Sequence, residues 1–417
     1  MENRRKARDV LTQTLGQVRV PRIFRRRRGP ATTLPEGSDL AALKYVHRKE
    51  RLRADNHIDP LCCGGEAFPA MLEAIAGATR YVHLETYIYR NDDTGRRFQA
   101  AMIERAKAGV RVRLLYDALG SFELPESFVA ELRAGGVHVG EFHPIAPWRD
   151  RYGFNQRDHM KILVVDGRVG FTGGINIGDE YMSLEQGGGG WYDMHARVQG
   201  SIVSDLDQLF ASTWARATGE SVELAPRSHE KAPLPHMLAT VIDNFGIRNR
   251  SRKRIAYLHA IRAAKKRISI MNAYFIPDRG MRRALRRAVS RGVLVELIVP
   301  GVSDVEVVLL ASRYLYPRLL RGGIHIYEWP ERMMHAKTAV VDGLWSTIGS
   351  YNIDRRSLFH NLEASVVIAD APFGERMQGL FDQELSKSRE VTRRECAERP
   401  LFVKLKQWFC YLWRYWL

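Results

Sequence analysis

The stretch HMKILVVDGRVGFTGGINIG, residues 159–178, begins with an imidazole and an ammonium group two positions apart. Alternate residues of a strand share a face, so His159 and Lys161 point in the same direction. The apolar run behind them predicts a buried strand, and the Asp-Gly pair at 166–167 predicts a tight turn into a second strand. Burying either polar group unpaired is costly, so both need partners that this segment does not supply.

The pattern occurs a second time, as HAKTAVVDGLWSTIGSYNID at residues 335–354. Nine of the twenty aligned positions are identical, and the shared polar residues His335, Lys337, Asp342 and Asn352 keep their offsets. A single His-x-Lys pair usually belongs to a surface strand. Two matched copies in one chain favour a functional site, because core packing does not require polar residues at fixed offsets.

The segments around the two motifs repeat as well. AIAGATRYVHLETYIY at 74–89 corresponds to AIRAAKKRISIMNAYF at 260–275, and AGVRVRLLYDALG at 108–120 corresponds to RGVLVELIVPG at 291–301. Apolar strands that alternate with amphipathic helices are typical of sheets covered on both faces. The sequence therefore predicts two duplicated α/β domains, each a mixed, largely parallel sheet flanked by helices, packed about a pseudo-twofold axis.

Composition shifts suggest the boundaries of these domains. Three prolines and mixed charge in GESVELAPRSHEKAPLPH mark residues 219–236 as a linker. The predicted order is a basic N-terminal arm at 1–40, a first domain at 41–218, the linker, a second domain at 237–390 and a tail at 391–417.

The charge of the 417-residue chain favours anionic partners. Lys and Arg number 64 against 47 Asp and Glu, a formal net charge of +17, and residues 1–30 alone carry ten basic and two acidic groups. The four cysteines form neither a disulfide framework nor a metal-ligand motif, which suggests a reducing, cytosolic setting. We expect no transmembrane helix, because no uncharged apolar segment approaches about 18 residues.

Each motif predicts contacts to a phosphate oxygen. Lysine supplies a point charge, asparagine supplies amide donors, and the small residues Gly174 and Ser350 allow close approach of the backbone. If the domains pack about a twofold axis, both histidines can face one phosphorus, where one attacks in line and the other protonates the leaving oxygen. Side chains supply the positive charge, so we expect neither a metal nor another cofactor.

The doubled H-x-K-x4-D motif, followed each time by G-[GS]-x-N, resembles the HKD signature of the phospholipase D superfamily. The resemblance covers roughly residues 40–385. Within the superfamily the chain resembles the bacterial cardiolipin synthases, through the segments LETYIYRNDDTG, NAYFIP and GSYNIDRRSLFHNLEASV. It is similar to their shorter type, which lacks N-terminal transmembrane helices. The first motif departs from the signature at Gly174, where serine is usual.

The resemblance implies a role for each motif residue. His159 matches the nucleophile that forms a phosphohistidine, and His335 matches the general acid that later acts as base. The implied catalytic set is His159, Lys161, Asp166, His335, Lys337 and Asp342; the implied phosphate-binding set is Asn176, Asn352, Gly174 and Ser350; the implied histidine-orienting carboxylates are Asp193 and Glu363. Asp166 and Asp342 also stand at Asp-Gly turns, which favours a structural role for both.

Two further features suggest surroundings of the site. Glu85 and Asn272 end apolar strands, at the edge where α/β active sites form. In the tail, LFVKLKQWFCYLWRYWL at 401–417 places its apolar residues on one arc of a helix, with Lys404, Gln407 and Arg414 opposite. Tryptophans beside basic residues are typical of an interfacial membrane helix, and the alternative is a helix docked on the protein core.

The first hypothesis is a phosphatidyltransferase, a cardiolipin synthase, that moves a phosphatidyl group through a phosphohistidine to a hydroxyl of a second phospholipid, such as phosphatidylglycerol. Its predicted partners are anionic phospholipids and a membrane surface, peripherally at the cytoplasmic face of the bacterial inner membrane, with no nucleic acid. The alternatives are a phospholipase D or a phosphodiesterase or nuclease that uses water as acceptor, and a non-catalytic, basic membrane-binding protein.

Overall fold

A computed structural model of the chain describes residues 52–145, 155–224, 237–246 and 251–415. The predicted basic arm at 1–40 and most of the predicted linker at 219–236 lie outside the described residues. The boundaries proposed for the two domains and the tail stay predictions. None of the helices in the described part of the chain combines the length and the apolar character needed to cross a membrane.

The two halves of the chain contain the same series of elements. The first half comprises β1 (Arg53–Cys62), α1 (Cys63–Ala76), β2 (Tyr81–Thr86), α2 (Asp93–Lys107), β3 (Arg111–Asp117), α3 (Glu126–Ala134), β4 (His138–Phe142), β5 (Ile162–Val165), β6 (Val169–Gly173), β7 (Met194–Gly200) and α4 (Val203–Thr218). Two 3₁₀ turns, Asp179–Tyr181 and Leu184–Gln186, lie between β6 and β7.

The second half repeats this order and then adds a short extension. It comprises β8 (Met237–Asp243), α5 (Arg252–Ala263), β9 (Arg267–Asn272), α6 (Arg279–Ser290), β10 (Leu294–Val302), α7 (Glu306–Arg321), β11 (His325–Met333), β12 (Lys337–Val341), β13 (Trp345–Gly349), α8 (Arg355–Phe359), β14 (Ala364–Ala369) and α9 (Ala371–Lys387). The extension is β15 (Arg389–Glu390), α10 (Arg393–Glu398) and α11 (Leu401–Leu412).

The strands form one continuous sheet whose order has twofold symmetry. From edge to edge it reads β15-β11-β10-β9-β12-β13-β14-β8-β1-β7-β6-β5-β2-β3-β4. Apart from β15, each strand of one half has its counterpart at the mirrored position of the other half, and the halves meet where β1 pairs with β8. This arrangement confirms the duplicated α/β fold and the pseudo-twofold relation of the halves.

The direction of the strands differs from the prediction. Of the fourteen pairings in the described sheet, only β2–β3, β3–β4, β9–β10 and β10–β11 are parallel. The motif hairpins and the strands that follow them pair antiparallel, as do the two strands at the centre. The sheet is mixed, as expected, but "largely parallel" is wrong, because buried apolar strands read alike in either direction.

A shared core joins the two halves. Trp214 of α4 and Phe381 of α9 belong to one buried cluster together with Val198 of β7 and Val366 of β14. Of two further clusters, one contains residues of the first half alone, and the other contains residues of the second half together with Leu52. The cluster around Trp214 and Phe381 contains residues from strands and helices of both halves, so separating the halves would expose these residues to water.

The Asp-Gly turns anchor both motif hairpins. Asp166 and Asp342 have φ angles of 55° and 56°, a left-handed conformation that Asp tolerates better than most residues. The Asp166 carboxylate accepts hydrogen bonds of 2.8–2.9 Å from the N–H groups of Thr79, Arg80 and Tyr81 and from the Thr79 hydroxyl. Burial opposes ionisation, but these hydrogen bonds outweigh it and lower the pKa of Asp166.

The second hairpin is held in the same way. The Asp342 carboxylate accepts hydrogen bonds from the N–H groups of Lys265, Lys266 and Arg267, at the start of β9. Asp166 and Asp342 therefore tie each motif to a neighbouring strand, at the opposite end of the hairpin strand from the motif histidine. Their place in the catalytic set stays a prediction, and these hydrogen bonds favour the structural role that the Asp-Gly turns suggest.

We predict that Asp166→Ala lowers the free energy of unfolding by about 2–3 kcal/mol, because it leaves several N–H donors without a charged acceptor. Asp166→Asn should lose less, since its amide oxygen still accepts. Chemical denaturation followed by circular dichroism measures both. The control is Arg168→Ala, an exposed position on the same hairpin. An Asp166→Ala protein as stable as this control, yet inactive, would contradict the structural role.

Candidate active site

Backbone hydrogen bonds between the halves bring the two motif histidines to one site. The N–H of His159 donates to the carbonyl of Leu362 (2.9 Å), and the N–H of His335 donates to the carbonyl of Tyr192 (2.7 Å). The N–H groups of Leu362 and Tyr192 donate in turn to the carbonyls two residues before each histidine, at 2.8 and 3.0 Å. The start of each motif is thus hydrogen-bonded to the residues just before a strand of the opposite half, which is β14 for the first motif and β7 for the second.

The residue after each bridging position is a carboxylate that contacts the histidine across the interface. Nδ1 of His159 lies 3.1 Å from Oε2 of Glu363, and Nδ1 of His335 lies 2.7 Å from Oδ2 of Asp193. The carboxylates predicted to orient the histidines do so, but in a crossed pattern. Each carboxylate follows one motif in the sequence and holds the imidazole of the other motif.

The crossed pairs define the tautomer of both rings. A carboxylate only accepts hydrogen bonds, so Nδ1 carries the hydrogen and Nε2 keeps its lone pair. Burial lowers the pKa of His159 to about 4, and Lys161 adds to this while Glu363 opposes it. Burial likewise lowers the pKa of His335. Both imidazoles are therefore neutral near pH 7 before an anion enters the site.

The two lysines supply positive charge to the same cluster. Nζ of Lys161 and of Lys337 each donate to the carbonyl of the histidine in their own motif, which aligns both ammonium groups. Each lysine interacts electrostatically with both Glu363 and Asp193, so the four charges form one group. Burial lowers the pKa of Lys161 to about 7 and that of Lys337 to about 8.

The two predicted asparagines differ in their surroundings. Asn176 donates from Nδ2 to the hydroxyl of Tyr181 (2.6 Å) and accepts at Oδ1 from the N–H of Ile88 (3.2 Å). Asn352 is buried, and its Oδ1 has no hydrogen-bond partner among the described residues. An unsatisfied buried amide oxygen is costly, which indicates that Asn352 contacts a group that enters the site.

Gly174 and Ser350 both contact other groups of the protein, and their role as phosphate contacts stays a prediction. Their backbone N–H groups donate to strand carbonyls, and the Ser350 hydroxyl donates to Glu363. A Cβ at Gly174 would lie 2.3 Å from a carboxylate oxygen of Asp193. The Ser350 hydroxyl therefore holds the Glu363 carboxylate by a hydrogen bond. Gly174 leaves room for the Asp193 carboxylate because it has no side chain.

Aromatic side chains, which the sequence reasoning missed, surround the histidines. Tyr87 lies 5.0 Å from His159 between ring centroids, and Trp191 lies 5.9 Å from His335. The Tyr181 hydroxyl lies 3.4 Å from Nδ1 of His335. The sequence offered one signal, because Trp191 stands beside Asp193 in the glycine-rich segment at 185–193.

Lys253 of α5 is a second group that the sequence did not reveal. It is buried, its ammonium has no hydrogen-bond partner among the described residues, and it lies 5.2 Å from the ring centroid of Tyr351. Burial lowers the pKa of Lys253 to about 8, and the charge of Glu363 opposes that shift. The positive charge of Lys253 helps to keep Glu363 ionised.

Glu85 and Asn272 both lie beside the site rather than in its charged cluster. Glu85 is fully buried next to Asp158, and burial raises the pKa of Glu85 to about 7. Asn272 accepts the N–H of Ile353 at 3.0 Å and donates to the Tyr351 carbonyl at 3.4 Å, so it supports the loop that carries Asn352.

The arrangement suits in-line displacement at a phosphodiester. Two neutral imidazoles with free Nε2 atoms can serve as nucleophile and as proton carrier, while two ammonium groups attract and stabilise a phosphate. No group of three or more His, Cys, Asp or Glu side chains in the described ranges is arranged to hold a metal ion.

Comparisons with known proteins agree with this chemistry. Residues 71–214 and 257–385 match a family model described as cardiolipin synthase, PLD-like domain. The major cardiolipin synthase ClsA of Bacillus subtilis is 32% identical over 374 residues, which cover 89% of this chain and 78% of that protein. Cardiolipin synthase A of Pseudomonas syringae pv. syringae is 34% identical over 346 residues, 83% of this chain and 72% of that protein.

A solved structure shares the fold. The phosphatidylserine synthase of Haemophilus influenzae Rd KW20 superposes with a TM-score of 0.68 over 91% of this chain and 100% of that chain. The sequences are 14% identical, so this likeness bears on the fold alone.

We predict that kcat/KM for a soluble chromogenic phosphodiester falls as the pH rises through 7 to 8. A lowered pKa means that Lys161 and Lys337 lose their charge at a lower pH than ordinary lysines, and neutral amines no longer stabilise phosphate. Between pH 5 and 7 the curve should stay level on account of His159, whose pKa is about 4. Initial rates at constant ionic strength measure the profile, and a flat profile from pH 6 to 9 would contradict it.

The crossed pairing makes a separate prediction. Glu363→Gln should change the ¹⁵N chemical shifts of His159, which lies 204 positions away, and leave those of His335 nearly unchanged. Asp193→Asn should do the reverse. Each variant should also lower kcat by about 10²–10⁴-fold, because the imidazolium loses its charged partner. Shifts confined to the histidine of the same half would refute the crossed arrangement.

Proposed function

The chain belongs to the cardiolipin synthase family of phospholipase D-like proteins and is a phosphatidyltransferase, and we propose that it joins two phosphatidylglycerol molecules through a phosphohistidine. The observation that carries this proposal is the pair of crossed imidazole–carboxylate contacts, one from each half, within one cluster of buried charges. Relatives named cardiolipin synthase support the lipid class of both substrates.

In the first half-reaction, Nε2 of His159 attacks the phosphorus of the donor lipid. The bond from phosphorus to the headgroup oxygen breaks, and His335 gives its proton to that oxygen, so glycerol leaves. His335 must first be protonated although burial lowers its pKa. A bound phosphate adds negative charge beside it, which raises the pKa of His335 toward the value an acid needs.

In the second half-reaction, a hydroxyl of the acceptor lipid replaces glycerol. Neutral His335 takes the proton of that hydroxyl, its oxygen attacks phosphorus, and the bond from phosphorus to Nε2 of His159 breaks. The products are cardiolipin and the free enzyme. Lys161 and Lys337 neutralise the non-bridging oxygens in both steps, and the unpartnered amide oxygen of Asn352 can accept a hydrogen bond from a substrate hydroxyl.

The surroundings of the two histidines support His159 as the nucleophile. A phosphorylated imidazole with a hydrogen on Nδ1 is cationic and needs a partner that stays ionised. Burial alone would raise the pKa of Glu363, but His159, Lys253 and the Ser350 hydroxyl outweigh it and lower the pKa. The resemblance to the superfamily assigns the same role to His159.

The substrates are phospholipids, and we infer a peripheral position at the cytoplasmic face of the bacterial inner membrane. The net charge of +17 supports attraction to an anionic leaflet. Water as acceptor would make the enzyme a phospholipase, and nuclease activity is the other alternative; neither has a contact in the described residues that favours it.

We predict that the purified chain converts phosphatidylglycerol vesicles to cardiolipin and glycerol, and that His159→Ala and His335→Ala each abolish turnover. Mass spectrometry of extracted lipids measures the products. The control is His138→Ala, an exposed histidine on β4 that should leave the rate unchanged. Phosphatidic acid as the sole product would show hydrolysis instead of transfer, and faster cleavage of DNA than of lipid would favour the nuclease.

The nucleophile can be assigned separately. A nitrophenyl ester of phosphatidic acid needs no acid, because nitrophenolate leaves without a proton. In His335→Ala this donor should still react with His159, whereas the second half-reaction lacks its base, so a phosphatidyl group should accumulate on the peptide that contains His159. The adduct should be acid-labile, as phosphohistidine is, and absent from the double variant that also carries His159→Ala. An adduct on His335 in the His159→Ala protein would reverse the two roles.

A further inference from the structure

Helix α11 is docked with its polar side inward and its apolar side outward. Gln407 and Cys410 are buried, and Tyr411 and Arg414 are half-buried on the same side. The outward arc consists of eight residues, each between 45% and 72% exposed: Leu401, Phe402, Leu405, Trp408, Phe409, Leu412, Trp413 and Tyr415. A helix that only completed a core would bury this arc, so its exposure indicates an apolar partner.

Specific contacts hold the helix in this orientation. The Tyr411 ring stacks on Tyr314 of α7 with centroids 4.7 Å apart. Nζ of Lys406 forms an ion pair with Glu306 at 2.8 Å, and Nζ of Lys404 donates to the Ala397 carbonyl at 2.7 Å. The outward arc is therefore presented by a helix that is anchored through its other face.

The apolar surface continues on α8, close to the second motif. Arg355 lies 3.9 Å from the ring centroid of Tyr415 and 5.8 Å from that of Phe359, which is exposed. Arg355 follows directly on the segment that carries Asn352, the site residue with an unsatisfied amide oxygen. The patch thus reaches from α11 to the chain segment that enters the site.

A second connection runs through the loop after β10. Val302 and Val305 are exposed there, and Asp304 between them accepts hydrogen bonds of 2.7 and 2.8 Å from the Tyr274 hydroxyl. The Tyr274 ring lies 6.1 Å from that of His335 between centroids. The loop between β10 and α7 therefore carries exposed apolar side chains and is connected through Asp304 and Tyr274 to His335 of the site.

We propose that α11, with Phe359 and the Val302–Val305 loop, is the surface by which this enzyme docks on an anionic phospholipid bilayer. The proposal rests on the lipid-transfer function and deepens it. Tryptophan and tyrosine on the arc suit the headgroup level, and Lys406 and Arg355 lie beside the arc with positive charge. The net charge of +17 opposes face-to-face association of two copies.

Docking in this orientation places the site at the depth of the lipid phosphates. Both substrates can then offer their phosphodiester or hydroxyl to the histidines while their acyl chains remain in the bilayer. The surface therefore contributes to substrate capture on membranes and contributes little for substrates that are dissolved as monomers.

The test compares the full chain with a Leu405→Ser/Phe409→Ser variant by flotation with vesicles of phosphatidylglycerol and phosphatidylcholine. We expect the variant to partition about tenfold or more weakly, and binding of the unchanged protein to weaken with salt. Both side chains are exposed, so the thermal midpoint should stay close to that of the parent. Leu294→Ser, an exposed position at the start of β10, is the matched control and should float normally.

Four outcomes separate this proposal from the proposed function. Equal flotation of parent and variant would overturn the docking surface, and so would a parent dimer in lipid-free solution that the variant loses. The rate on vesicles should fall at least tenfold more than the rate on a monomeric short-chain lipid. His159→Ala should float like the parent, so a bound but inactive parent would refute the function and leave the surface standing.

Discussion

The crossed contacts between imidazole and carboxylate are the constraint on which the rest of the structure depends. Glu363 and Asp193 are fully buried, and a buried carboxylate without a partner is strongly destabilising. Each finds its imidazole partner in the opposite half, so these two contacts form only where the halves meet. The backbone bridges at Leu362 and Tyr192 fix this exchange from both sides. The reciprocity matches the twofold order of the sheet, in which each half contributes the same elements.

Much of the fold could be predicted from the sequence, and the reason is local. The Asp-Gly pairs at 166–167 and 342–343 specify tight turns through their left-handed backbone, and the apolar runs on either side specify buried strands. The repeat then implies two equivalent halves. Strand direction could not be predicted, because a strand buried on both faces carries no alternation to orient it.

The residue types of the site could be predicted from the sequence, but the contacts between these residues could not. The repeated motif identified His159 and His335, and the resemblance to the superfamily implied Asp193 and Glu363, but neither showed which carboxylate contacts which histidine. The crossing depends on how the halves meet, which is a property of the tertiary structure. The role of Lys253 could not be predicted for a similar reason. In the sequence it looks like any solvent-exposed lysine of a helix, and only the tertiary structure shows that it is buried.

The two halves differ in sequence around the site, and this difference allows His159 and His335 to take different roles. In a fully symmetric site the two histidines would be equivalent. The second half combines Ser350, Lys253 and the longer Glu363, whereas the first has Gly174 and Asp193. Because His159 and His335 are only 6% and 4% exposed as whole residues, a phosphodiester must enter a nearly closed site. In a membrane lipid that group lies where the polar headgroup meets the acyl chains. The outward apolar face of α11 would allow the protein to bind the lipid phosphate at this level of the membrane, so the lipid need not leave the bilayer.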